Sequence, residues 1–124
     1  MQTFSKNERL CSKVLIERLV GKGHSFNHPP FRITWMLIAE SPAPVKVMIS
    51  VPKRNFKRAV DRNKLKRRIR EAYRKEKQSL YDALKDKKIL LTIVYTAKTK
   101  LEYLEIVEKI KEALDRLSKA TGEK

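Results

Sequence analysis

The chain is short of the residues that staple a fold or build a catalytic centre. It has one cysteine, Cys11, in 124 residues. A single thiol excludes an internal disulfide and leaves no cysteine cluster for zinc. Three glycines are present, and none stands in a phosphate-cradling loop pattern. No apolar run approaches the roughly 18 residues that a membrane helix needs, and no signal-peptide core is visible. The expected setting is therefore reducing and cytoplasmic, without membrane contact. Both histidines, His24 and His28, lack cysteine or carboxylate neighbours in the sequence and read as surface-loop residues. Acids are scarce: 14 Asp and Glu face 30 Lys and Arg, a net charge of +16. Asp61, Glu71 and Glu76, the acids of the central region, are not spaced as a metal-binding group. Nothing there supports a self-sufficient nuclease site, and no metal is expected on the protein alone.

What is abundant is positive charge, and it is concentrated. From Lys53 to Lys77 there are thirteen Lys and Arg against three acids. Leu65, Ile69 and Ala72 recur there at helical spacing, so the charge belongs to a folded element. With Leu65 at 0° and 100° per residue, those three fall within about 60° of each other. Asn63, Arg67, Arg70 and Arg74 fall between about 140° and 200°, on the opposite face. Lys66 lies beside them, whereas Arg62 sits near the seam with the core. Arg62 and Arg68 can lay their stems over the core and hold the helix in place. Positive charges at i, i+4 with few acids cost helix stability, so such a face is best explained by a polyanion partner. Arginine adds a planar fork suited to two phosphate oxygens. Binding should weaken steeply with salt through counterion release.

The rest of the chain reads as one α+β domain over residues 1–124. Ser5-Lys6-Asn7-Glu8 fits a capping box, and Ser12 is a second candidate N-cap. Val14, Leu15, Ile16, Leu19 and Val20 then give a short amphipathic helix closed by Gly21 and Gly23. His28-Pro29-Pro30 reads as extended, leading into a strand from Phe31 to Ile38. Ser41-Pro42-Ala43-Pro44 suits a hairpin-like turn before a second alternating strand, Val45 to Val51. A helix is expected from about Ala59 to the Tyr81–Leu84 region, then an apolar strand from Ile89 to Tyr95. Thr99-Lys100-Leu101-Glu102 fits another capping box. It precedes a last helix with Tyr103, Val107, Ile110, Leu114 and Leu117 on one stripe. Residues 119–124 are expected to fray. The order is α-β-β-α-β-α, with a further strand possible near residues 24 to 30, and the class is a small sandwich of helices on a sheet.

The stretch Arg62-Asn63-Lys64-Leu65-Lys66-Arg67-Arg68-Ile69-Arg70-Glu71 resembles the RNR motif of the bacterial ribonuclease P protein component. Arg9-Leu10, Gly23, Phe31 and Ile49-Ser50-Val51-Pro52-Lys53 follow in that family's order, so the resemblance covers about residues 8–117. It implies an αβββαβα sandwich with a left-handed crossover through the basic helix. It also implies two RNA partners, a catalytic RNA and a precursor tRNA, and no obligate protein partner. In that family the RNA holds the Mg²⁺ ions and hydrolyses the phosphodiester that joins the 5′ leader to the tRNA.

By position, Lys53, Arg54, Arg62, Asn63, Lys64, Lys66, Arg67, Arg70 and Arg74 are then the expected contacts to RNA. Lys64 stands where the family often carries arginine. The leader is expected in a cleft between the first helix and the sheet, lined by Ile16, Val20, Arg32, Thr34, Met36, Lys46 and Met48. None of these is aromatic, which argues against base stacking there. Two other readings compete: a structural RNA-binding protein of ribosomal type, and a module that lays the basic helix in a DNA major groove. The second is the weaker, because Asn63 is the one base-reading residue on that face.

Overall fold

The computed structural model describes residues 13–39, 44–85 and 87–122. The elements in chain order are α1 (Lys13–Lys22), β1 (His24–His28), β2 (Phe31–Ile38), β3 (Val45–Ser50), α2 (Ala59–Leu84), β4 (Lys88–Tyr95) and α3 (Tyr103–Gly122). This is the expected α+β sandwich, with the extra strand realised as β1. The capping box at Ser5–Glu8, Cys11 and Ser12 lie outside the described residues.

The strands form a single sheet in the order β1-β2-β4-β3. β1 and β2 are an antiparallel hairpin closed by Pro29 and Pro30, whose peptide bond is cis. The His28-Pro29-Pro30 segment is thus a tight turn instead of an extended lead-in, and both histidines sit on a strand instead of a loop. β2 pairs antiparallel with β4, and β3 pairs parallel with β4. The hairpin expected across residues 41–44 does not form, because β4 is inserted between β2 and β3. The physical reason is visible in composition. Ile89, Leu90, Leu91 and Ile93 are fully buried, so β4 takes an interior position and displaces the more polar strands outward.

Strand alternation sends Phe31, Ile33, Trp35, Val45, Val47, Leu91, Ile93 and Tyr95 to one face. There they meet Leu65, Ile69, Ala72, Tyr73, Leu80 and Leu84 of α2 and Ile106, Ile110, Ala113, Leu114 and Leu117 of α3. The 4, 3, 1, 7, 4 spacing on α2 is the inner stripe of a long amphipathic helix. On the opposite face α1 covers only one end of the sheet, where Leu19 and Leu90 make a small second cluster with Ile16, Met36, Ile38 and Met48.

Two joints position these layers. Gly23 follows α1, and its N–H donates to the Leu19 carbonyl at 2.7 Å. A Cβ at Gly23 would stand 2.4 Å from that carbonyl oxygen and 3.0 Å from Cγ2 of Thr34, so only glycine lets the chain pass there. The second joint ties the end of β4 to the start of α3. The buried Tyr95 hydroxyl donates to the Thr99 carbonyl at 2.6 Å and accepts from the Leu101 N–H at 3.1 Å. Burial raises its pKa, so it remains a neutral phenol. Thr99 therefore serves a turn, and the capping box expected at 99–102 is not the helix start, which falls at Tyr103. At the far end α3 does not fray at 119. It continues to Gly122, with Thr121 only 2% exposed and its carbonyl accepting from Lys87 Nζ at 2.7 Å.

α2 ends at Lys85 with φ 56° and ψ −110°, a region that glycine adopts readily and an L side chain does not. The Lys85 side chain is exposed and makes no core contact. Lys85→Gly is therefore expected to stabilise the protein, by about 1 kcal/mol, and to raise the urea midpoint without changing the slope.

Candidate nucleic-acid interface

The outward face of α2 is cationic, but its cations fall into two groups. Asn63, Lys64, Arg67 and Arg70 are exposed, and Lys66 is half-buried beside them. Arg62, Arg68 and Arg74 are committed to the fold. Arg62 Nη1 donates to the carbonyls of Phe56 (2.8 Å) and Lys57 (2.9 Å), fastening the loop that precedes the helix. Arg68 Nη1 donates to the Leu101 carbonyl at 2.6 Å, fastening the turn before α3. These are the structural roles open to the two arginines nearest the core seam. Arg74 was expected to face solvent. Instead it is half-buried and forked onto Glu71, Nε to Oε1 at 2.9 Å and Nη2 to Oε2 at 2.5 Å.

Three acids are held ionised by such contacts. The hydrogen bond from Lys100, 3.0 Å away, keeps the Asp61 carboxyl below the ordinary range, and Arg58 and Lys64 add to it. Arg74 does the same for Glu71. His28 Nε2, at 3.0 Å, does so for Glu112 on α3, with help from Lys109. A carboxyl whose pKa is lower folded than unfolded adds stability at neutral pH and loses it as the pH falls through the folded value. Melting temperature should thus drop once the pH goes below about 4. Screening of these exposed pairs should flatten that dependence in high salt. Thermal melts from pH 3 to 7 at two salt concentrations check both points.

The loop from Pro52 to Arg58 leads from α2 to the other side of the sheet, where the register lays out a cleft. Met36, Leu90 and Lys46 form one row across β2, β4 and β3. Ser25, Thr34, Thr92 and Met48 form the next, across all four strands. Asn27, Arg32, Val94 and Ser50 form the third. α1 covers the first row and reaches Met48 of the second, while the second row and Arg32, Val94 and Ser50 of the third line a cleft. The resulting cleft has a volume of about 950 Å³, at the upper end of what ligand sites occupy. Pro52, Arg54, Asn55, Thr96 and Lys98 are also part of its lining.

Of the seven residues expected to line this cleft, Arg32, Thr34 and Met48 do so. Ile16 and Met36 pack around Leu19 and Leu90 under α1, and Lys46 is half-buried in the same row. The Val20 side chain lies outside the described residues. Arg54, an expected RNA contact, lines the cleft as well. Sequence reasoning missed Ser25, Ser50, Thr92 and Thr96. The alternation of β4 carried the signal for Thr92, since it falls on the face opposite Leu91 and Ile93. Among the described residues no group of three or more His, Cys, Asp or Glu is placed to hold a metal, and no helix is long and apolar enough to cross a membrane.

Fold and site together define a small basic α+β sandwich whose β3-α2-β4 crossover carries a cationic helix on one face of the sheet, while the other face holds a cleft lined by hydroxyl, cationic and apolar side chains. Residues 4–118 match the family model described as Ribonuclease P. A ribonuclease P protein component of Porphyromonas gingivalis is 41% identical over 93 residues, which is 74% of this chain and 68% of that protein. The chain belongs to the ribonuclease P protein family, the protein components of a bacterial tRNA-processing ribonucleoprotein. The RNase P protein of Staphylococcus aureus superposes with a TM-score of 0.71 at 26% identity, over 90% of this chain and 96% of that one. The Thermotoga maritima RNase P protein shares the fold, with a TM-score of 0.70 at 22% identity over 88% and 96% of the two chains.

Proposed function

We propose that this chain binds the catalytic RNA of bacterial ribonuclease P through the outward face of α2 and holds the 5′ leader of precursor tRNA in the sheet cleft. The observation that carries this is the division of labour on α2. Arg62, Arg68 and Arg74 lock the scaffold, while Asn63, Lys64, Arg67 and Arg70 are exposed on the outward face, with Lys66 half-buried beside them. Lys53 and Arg54 extend the positive surface along the loop to the cleft, where Arg32 and Lys98 continue it. A cationic surface running from helix to cleft lowers the repulsion between a catalytic RNA and a polyanionic substrate.

On this reading the hydrolysis belongs to the RNA, and Mg²⁺ held there would supply the Lewis-acid chemistry. The side chains presented here are overwhelmingly cations and hydroxyls, a poor ligand set for a hard cation that prefers carboxylates. What this chain contributes is charge, shape and position, in the bacterial cytoplasm. The test is cleavage of a precursor tRNA by a bacterial ribonuclease P RNA at low Mg²⁺, with and without the protein. Stimulated cleavage at the mature 5′ end is expected. RNA binding without stimulation would instead support a purely structural RNA-binding role.

A further inference from the structure

The open rows of the cleft have a chemistry of their own. The register places hydroxyls on every strand: Ser25 on β1, Thr34 on β2, Thr92 on β4 and Ser50 on β3. Thr92 is the most telling, being only 5% exposed yet lining the cleft. Ser25 Oγ accepts from Arg32 Nε at 3.3 Å and lies 3.4 Å from Thr34 Oγ1. Arg32 itself lines the cleft, and its guanidinium is a fork suited to a phosphate. Arg54 and Lys98 add two more cations, and no described lining residue is acidic. Among the described lining residues Tyr95 is the one aromatic, and it is 0% exposed, so none of them offers an aromatic face for a base to stack on.

We infer that the cleft grips its nucleic acid by the sugar-phosphate backbone, with cations on phosphates and the hydroxyl rows on ribose 2′-hydroxyls, and that it leaves the bases unread. This rests on the reading of the cleft as the leader site. A backbone grip of this kind makes the protein indifferent to leader sequence but selective for RNA over DNA, since the 2′-hydroxyl is what separates the two.

The experiment compares dissociation constants of four precursor tRNAs for the holoenzyme of this chain and a bacterial ribonuclease P RNA, under conditions that bind without cleaving. One carries a natural leader, one an abasic leader, one a 2′-deoxy leader and one no leader. The nucleotides flanking the cleavage site are identical in the three leader-bearing substrates. The abasic leader should bind within about twofold of the natural one, because no stacking or base-edge contact is lost. The deoxy leader should bind roughly tenfold more weakly, as expected for loss of buried hydrogen bonds. An abasic leader that binds as poorly as no leader would overturn the inference and leave the leader site intact. So would a deoxy leader that binds as well as the natural one. Equal binding with and without a leader would overturn the leader site itself.

Discussion

Leu65→Ala will destabilise the protein by about 2–5 kcal/mol, read as a lower urea midpoint. Leu65 is fully buried, as are Ile69 one turn on and Ala72 beyond it. Leu65 belongs to the continuous core between α2, the sheet and α3, so a smaller side chain there leaves a cavity. The helix also starts from a disadvantage. Its N-cap residue, Arg58, makes no side-chain capping bond, and positive charges crowd its first turns. Burial of the inner stripe is what offsets that repulsion, so shortening Leu65 weakens the element exactly where it has least in reserve. Added RNA should raise the midpoints of parent and variant alike and leave the difference between them, since a ligand that binds only the folded state stabilises both by the same amount. A loss below about 1 kcal/mol would mean that the inner stripe does not hold the cationic helix in place.

The inner stripe was legible because it is local: Leu65, Ile69 and Ala72 announce a helix face through spacing alone. The same holds for β2, whose alternation from Phe31 to Ile38 marks both faces and both ends. Pairing was less legible. Nothing in the segment from Ile38 to Val45 says that a strand fifty residues downstream will be inserted between β2 and β3. Only the greater burial demand of β4 decides that, and it acts through tertiary packing. The cleft suffered from the same gap. Met36 and Lys46 share a face with Thr34 and Met48, yet Leu90 aligns them under α1, and that register is non-local. Pairwise contacts such as Arg74 with Glu71, or His28 with Glu112 across 84 positions, were either one option among several or invisible. Arg62 and Arg68 show the converse. Their position at the core seam foretold a structural use, and the backbone carbonyls of Phe56, Lys57 and Leu101 supply it.

Arg67→Ala will weaken binding of the catalytic RNA by roughly 1–3 kcal/mol while leaving folding unchanged. Arg67 is exposed, stands opposite Leu65 on α2, and has no ion pair or hydrogen bond among the described residues. Removing it leaves no buried group unsatisfied, so the unfolding midpoint should stay within about 0.5 kcal/mol of the parent. If its guanidinium meets one phosphate, the slope of log K against log salt should fall by about one unit. Arg62→Ala provides the contrast. Its Nη1 already serves two backbone carbonyls, and their loss exposes the joint between the basic loop and the helix. That variant should lose stability by about 1–3 kcal/mol and keep most of the salt slope. Titrations at several salt concentrations, paired with urea melts of both variants, separate the two roles. Loss of slope in Arg62→Ala and none in Arg67→Ala would reverse the assignment and put the RNA contact at the seam instead of on the outer face.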